Sequence, residues 1–158
     1  MVKGSMGVWR RLGGVVALWL LCAATWAGSP VYAPKQGPAL DGYDAVAYFS
    51  EAAPRQGDPR YAHVWNGATW RFATAENRDL FKADPERYAP QYGGYCAYAM
   101  STGSFSPGSA KRWRIEDGKL YLNANVFAQT LWEANIPQRV QDADGHWPAK
   151  KQELEAAP

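Results

Sequence analysis

The sequence predicts an α+β fold in which two β-hairpins pack with several short helices, and three observations lead to that prediction. Asn66-Gly67 and Asp117-Gly118 each separate two strand-like runs, and these dipeptides favour the tight type I′ turn of a hairpin. Apolar residues recur at helical spacing after each hairpin. The chain of 158 residues carries eight tryptophans, and the five that follow residue 27 supply bulk for the core of a single domain without a disulfide.

The N-terminus has the layout of an export signal. Basic residues precede an apolar stretch over residues 12–24, which is shorter than the roughly 20 residues that a membrane span needs. Small residues follow, and we predict cleavage after Ala27, with cleavage after Ala33 as the alternative. The mature protein is then expected to be periplasmic or secreted, with membrane association only through the uncleaved signal.

Removal of residues 1–27 changes both the charge and the cysteine content. The signal carries Lys3, Arg10 and Arg11 and no acidic residue, so the formal net charge falls from +2 to −1. Without an overall positive field, nucleic acid is a disfavoured partner. Cys22 leaves with the signal, and Cys96 remains as the only cysteine, although cysteines in oxidising compartments are usually paired.

The mature chain divides into three parts. Residues 28–39 are rich in proline and glycine and are predicted to form a flexible lead-in. Residues 40–148 form the predicted domain, and residues 149–158 are predicted to be a disordered tail.

Within the domain, alternating residues predict a first hairpin over about residues 60–73. Thr74 is suited to cap a helix over Ala75–Ala83, and a second short helix is predicted over Pro85–Tyr88. The stretch 101–110 is predicted to be a loop because of its glycines and proline.

The second half of the domain is predicted to contain one more hairpin and two more helices. A second hairpin is predicted over residues 111–123, followed by a helix over residues 125–135. A last helix is predicted over residues 137–143, and Asp144-Gly145 is expected to end it.

Several segments together resemble a YHS domain. The pattern covers residues 40–148 and is similar to that of exported bacterial YHS-domain proteins with a Tyr-Gly-Gly-Tyr-Cys-Ala segment. The resemblance implies a YHS/TRASH-like core with a C-terminal extension. The segments are the runs 42–49, 72–81, 84–88, 92–99 and 117–123, the Asn66-Gly67 turn and Trp147-Pro148.

YHS domains of heavy-metal ATPases carry cysteines that are thought to bind metal. Carried over onto this chain, those positions are Ala47, in what the resemblance implies is an opening strand, and Ala73 and Asn77, which flank the start of a helix. Because a soft metal needs thiolate or imidazole donors, a metal site of that type is not expected here.

Cys96 therefore becomes the candidate for any metal or redox chemistry. A functional thiol would need a neighbouring cation or helix N-terminus to favour the thiolate. The alternatives are a buried structural residue, since free cysteine is often buried, and an intermolecular disulfide. Met100 and His146 are the candidate additional ligands, because copper(I) favours soft sulfur donors and imidazole also binds copper.

A cluster of aromatic residues accompanies the two distinctive segments. These residues are predicted to line a pocket for a small ligand, or alternatively to be core and rim residues with bonded hydroxyls. Asp44 is predicted to cap or anchor the loop at its edge. The candidate pocket comprises Tyr43, Asp44, Tyr48, Tyr95 and Tyr98.

The sequence thus predicts a periplasmic YHS-type protein, more consistent with a non-enzymatic role, that uses Cys96 to handle or sense copper or another soft transition-metal ion. One alternative is a thiol-dependent redox protein that acts through Cys96, although the mature chain offers no resolving cysteine. Another is a module that binds an unidentified small ligand or periplasmic protein, with Cys96 buried.

Overall fold

The predicted α+β class is confirmed in a computed structural model, which describes residues 29–34 and 37–157. The predicted signal, residues 1–27, and Cys22 lie outside the described residues. Among the helices of the described residues, none combines the length and the apolar character needed to cross a membrane.

The described residues contain two antiparallel two-stranded sheets and six α-helices. The strands are β1 (Asp58–Trp65) paired with β2 (Ala68–Phe72), and β3 (Ser109–Glu116) paired with β4 (Lys119–Asn123). The helices are α1 (Ala47–Ser50), α2 (Ala75–Ala83), α3 (Pro85–Tyr88), α4 (Ala97–Ser101), α5 (Val126–Glu133) and α6 (Ile136–Glu155). Short 3-10 turns over Ala39–Gly42 and Gln91–Gly94 precede α1 and α4.

Both hairpins turn at the predicted dipeptides. Asn66 and Gly67 have φ values of 48° and 74°, and Asp117 and Gly118 have φ values of 47° and 71°. Two consecutive residues at positive φ define the type I′ turn, which asparagine, aspartate and glycine adopt at the lowest cost. The local chemistry of each turn therefore sets the pairing of its two strands.

The domain is built from two copies of one structural unit. Each copy runs from a 3-10 turn through a short helix and a hairpin to a longer helix, and β1 and β3 have the same length, as do β2 and β4. The strand register breaks at the same place in both hairpins, between Asp58 and Ala62 in one and between Ser109 and Trp113 in the other. We call residues 39–88 the first repeat and residues 91–139 the second repeat.

The backbone hydrogen bonds of the two repeats also correspond. Gly57 N–H donates to the Gly42 carbonyl, and Gly108 N–H donates to the Gly94 carbonyl. Asp44 N–H donates to the Arg55 carbonyl, as Cys96 N–H does to the Ser106 carbonyl. Asp44 and Cys96 therefore occupy equivalent positions in the two repeats.

Each repeat has its own aromatic core. Trp70 and Phe81 pack with ring centroids 4.9 Å apart in the first, and the equivalent Tyr121 and Trp132 pack at 5.2 Å in the second. All four side chains are buried, so aromatic packing holds each hairpin to the helix that follows it. Met100 is buried in the second core.

The C-terminal helix differs from its prediction. It continues through Gly145 and Pro148 to Glu155, so its predicted end at residue 143 is wrong and most of the predicted disordered tail is helical. Ala143 is fully buried and Trp147 packs against the second core. These tertiary contacts hold the helix past two residues that disfavour it.

Part of the predicted flexible lead-in packs on the domain. Tyr32 N–H donates to the Gly93 carbonyl at 2.8 Å, and the Ser29 hydroxyl donates to the Asn66 carbonyl at 2.6 Å. Val31 is buried. We call residues 29–32 the strap, because they contact the hairpin turn of the first repeat and the 3-10 turn of the second.

Candidate functional site

The first polar centre is the buried carboxylate of Asp44. One oxygen accepts from the Val46 and Ala47 N–H groups at 2.8 and 3.3 Å. The other accepts from Ala73 N–H at 2.8 Å and from the Asn77 side-chain amide at 2.7 Å. Asp44 is fully buried, and four donors compensate for the loss of its water.

The three positions that the YHS resemblance assigns to metal cysteines all meet at this carboxylate. They are Ala47, Ala73 and Asn77, and each contributes one of the four hydrogen bonds to Asp44. Ala47 lies in the first turn of α1, so the implied opening strand is wrong at this position. The first polar centre joins the start of α1, the end of β2 and the start of α2.

The second polar centre lies at Cys96, the equivalent of Asp44. Its sulfur caps α4 by accepting from Ala99 N–H at 3.5 Å. The sulfur also lies 3.7 Å from the side-chain oxygen of Asn123, which in turn accepts from Tyr98 N–H at 3.2 Å. Cys96 is only 1% exposed and Asn123 is fully buried.

The contact with Asn123 defines the role of the thiol. Because the amide oxygen of Asn123 is an acceptor, the sulfur must be the donor in this contact. A thiolate in the same place would face that oxygen without a shared proton. The sulfur therefore caps α4 and bonds to β4, and it is buried rather than exposed as a nucleophile would be. The nitrogen of the same amide has no partner among the described residues.

The candidate metal ligands do not share one environment. Cys96 and Met100 are buried, whereas His146 is exposed on α6 and packs beside Gly103. Across the described ranges, 29–34 and 37–157, no three histidine, cysteine, aspartate or glutamate side chains are grouped closely enough to hold a metal ion.

The predicted pocket residues are divided between the two cores. Tyr43 and Tyr48 belong to the first core, and Tyr95 and Tyr98 pack against the second. The Tyr48 hydroxyl donates to the Ala110 carbonyl at 2.7 Å, and its burial raises the pKa of Tyr48 above its ordinary value. Burial likewise raises the pKa of Tyr95.

A different set of residues lines an open cleft of about 590 Å³ at the junction of the two repeats. We call it the junction cleft. Four aromatic residues line it: Trp65 and Trp147 are partly exposed, whereas Trp70 and Tyr92 are buried behind them. Pro30 and Val31 of the strap line it as well, so the first hairpin, the second 3-10 turn, α6 and the strap all contribute to its surface.

Charged residues of both signs line the same cleft. Arg87 and Glu86 come from α3, Asp117 lies in the second hairpin turn, Lys119 begins β4, and Lys151 comes from α6. In the described part of the chain, only Lys151 among these five forms an ion pair, at 3.8 Å with Glu155. The other four charges are available to a ligand.

The aromatic residues that line the cleft differ in whether their N–H or O–H group already donates a hydrogen bond. The indole N–H of Trp70 donates to the Trp65 carbonyl at 3.2 Å, and the Tyr92 hydroxyl donates to Asp144 at 2.9 Å. Burial, followed by the bond to Asp144, raises the pKa of Tyr92. The indole N–H groups of Trp65 and Trp147 make no hydrogen bond to other described residues.

Comparison with known proteins does not add an assignment, because no protein-family model, no curated protein and no solved structure matched the chain. The candidate site therefore rests on geometry. Sequence reasoning missed the junction cleft because its walls are distant in sequence. One available signal was a repeated spacing in the sequence. The Asn66-Gly67 and Asp117-Gly118 turns are nearly as far apart as the Gly42-Tyr43 and Gly94-Tyr95 dipeptides. This common spacing marks the two repeats, and the cleft lies at their junction.

Proposed function

We propose that this protein is a non-enzymatic, exported binding module of the YHS type whose ligand occupies the junction cleft. The observation that supports the proposal is the cleft of about 590 Å³, which is lined by aromatic residues and by charges of both signs that form no ion pair within the described residues. Binding sites for small molecules are typically concave, about 300–1,000 Å³ in volume, and aromatic with a few placed polar groups. The junction cleft has a volume in this range, and its lining combines aromatic with charged residues.

In this proposal the two polar centres build the domain, and the cleft binds. Asp44 ties α1 to β2 and α2, and Cys96 ties α4 to β4. Both residues are almost completely buried. The cleft, in contrast, is open and receives residues from both repeats and α6, so it forms only when the whole domain is folded.

Copper handling or redox chemistry through Cys96 has less support from the geometry. Either would require a sulfur that is 1% exposed to reach a metal ion or a substrate. Copper(I) titration of the wild type against Cys96→Ala separates this alternative from the cleft proposal. Equal affinities argue against metal through Cys96, and loss of a tight site in the variant would favour it.

The cleft proposal is tested with indole as a probe in two-dimensional ¹⁵N NMR of the folded domain. Indole is planar and apolar and can stack on tryptophan. We expect the side-chain N–H signals of Trp65 and Trp147 to shift on titration, together with the backbone signals of Gly93 and Gly118. The side-chain signal of Trp132, which is buried in the second core, should not move.

Two variants of similar cost sharpen the test. Trp147→Ala removes a wall of the junction cleft, whereas Trp113→Ala removes a partly buried tryptophan that packs edge-on against Tyr48 at 5.2 Å. Both are expected to lower stability, but only Trp147→Ala should weaken indole binding. Indole shifts that are absent, or that are scattered equally over the surface, would reject the cleft as a binding site.

A further inference from the structure

The strap shows how the junction of the repeats accommodates polypeptide. Its backbone bond from Tyr32 N–H to the Gly93 carbonyl and the buried side chain of Val31 hold a short extended segment against the second repeat. Gly93 is required there, because a Cβ at this position would collide with the Pro30 carbonyl. The surface beside the cleft is therefore already fitted to a main chain that approaches closely.

The charges of the cleft are suited to a ligand with two charged ends. The carboxylates of Glu86 and Asp117 form no ion pair in the described part of the molecule. The cationic side chains of Arg87 and Lys119 form none there either. A ligand with a single charge would leave one set of these groups without a partner. A zwitterion can satisfy one group of each sign.

The walls add an apolar body and hydrogen-bond donors. Trp65 and Trp147 each have an indole N–H that is not used within the described residues, and an indole N–H can only donate. Carbonyl and carboxylate oxygens are the matching acceptors. An aliphatic or aromatic side chain would pack on the same rings.

We propose that the ligand of the junction cleft is a short zwitterionic peptide with an apolar side chain. This inference rests on the proposed function, since it names the ligand class of the same site. The peptide's ammonium group would lie near Glu86 or Asp117, its carboxylate near Arg87 or Lys119, and its side chain between Trp65 and Trp147. A cleft of about 590 Å³ has room for a peptide of a few residues and not for a folded partner.

The test compares the tripeptide Gly-Leu-Gly with its N-acetylated and C-amidated form, which has the same side chain and no charge. Both are titrated into the full domain and followed by the NMR signals of Trp65 and Trp147. Two exposed ion pairs predict that the zwitterion binds roughly five-fold tighter than the capped peptide at low salt. The difference should shrink in 0.5 M salt, because salt screens exposed charges.

Charge variants locate the effect. Glu86→Gln and Lys119→Met should each weaken the zwitterion and leave the capped peptide unchanged. Glu76→Gln on α2 and Lys111→Met on β3 alter exposed charges outside the cleft lining and should change neither peptide. Equal binding of both peptides at the cleft would overturn the inference while leaving the proposed function in place. If neither peptide nor indole shifts the cleft signals, both proposals are wrong.

Discussion

Asp44→Asn is the most informative single change to the fold, because it preserves shape while removing acceptors. The amide oxygen can still accept from the Val46 and Ala47 N–H groups. The new NH₂ group then faces two donors, Ala73 N–H and the side-chain amide of Asn77. If the amide flips, the other pair of donors loses its acceptor instead.

The size of the effect follows from these two lost bonds. Hydrogen bonds to a charged group contribute about 1.5–3 kcal/mol each, so losing two is expected to lower the free energy of unfolding by about 3–6 kcal/mol. A domain of this size has a total stability of about 5–15 kcal/mol, so the variant should lose a large fraction of its stability.

Urea unfolding followed by tryptophan fluorescence measures this free energy, and the dependence on urea should be unchanged if the folded state is intact. Asp79→Asn is the matched control, since Asp79 is exposed and bonds only to Arg78 among the described residues. Its cost should stay below about 1 kcal/mol. If Asp44→Asn costs no more than Asp79→Asn, the first polar centre does not hold the repeat together.

Three further outcomes follow from the same structure. Cys96 should react with iodoacetamide far more slowly in the native protein than in urea, because its sulfur is 1% exposed; equal rates would contradict its burial and revive the thiol hypotheses. Arg60→Ala should return the pKa of Asp58 from about 2 towards 3.8, since the side-chain hydrogen bond from Arg60 is what lowers it. Carboxyl NMR titration measures this change. In the wild type, the stabilisation from this pair should be present above pH 3.8 and lost as the pH falls to about 2. Burial raises the pKa of Tyr121 to about 12 and also raises that of Tyr48, so stability present below pH 10 should be lost as the pH rises through 12. Absorbance titration at alkaline pH tests this, and titration of every tyrosine near pH 10 would contradict it.

The hairpins were predictable because their information is local. Asn66-Gly67 and Asp117-Gly118 select the type I′ turn almost irrespective of the rest of the chain. The helix over Ala75–Ala83 was predictable for a similar reason, since the Thr74 side chain accepts from Asn77 N–H as a helix cap.

The full length of α6 was not predictable from local signals. Gly145 and Pro148 both argue for an end, and only the burial of Ala143 and the packing of Trp147 override them. Such contacts depend on the position of the second core relative to α6, and local sequence signals do not predict that position. The same dependence hid the junction cleft, whose walls, from Trp65 to Trp147, converge only after the two repeats are in place.

The repeat itself was hidden because equivalent positions carry different chemistry. Asp44 corresponds to Cys96, and the buried Phe72 corresponds to the buried Asn123. In the first repeat the polar side chain that bonds to the central residue is Asn77 of the following helix, whereas in the second repeat it is Asn123 at the end of the strand. The glycines and the turn dipeptides keep a common pattern, because the backbone conformation requires them.

Cys96→Asp tests whether the polar centres at Asp44 and Cys96 have equivalent hydrogen bonding as well as equivalent positions. An aspartate there would face the side-chain oxygen of Asn123 and keep only the Ala99 N–H as a donor, so it should cost at least about 2 kcal/mol more than Cys96→Ser. Ala128 corresponds to Asn77, and adding Ala128→Asn should supply the missing amide donor. The double variant should therefore recover about 1 kcal/mol relative to the sum of the single changes, measured by urea unfolding. Strict additivity would mean that residues 96 and 128 do not meet as residues 44 and 77 do, and the repeat would then be one of backbone alone.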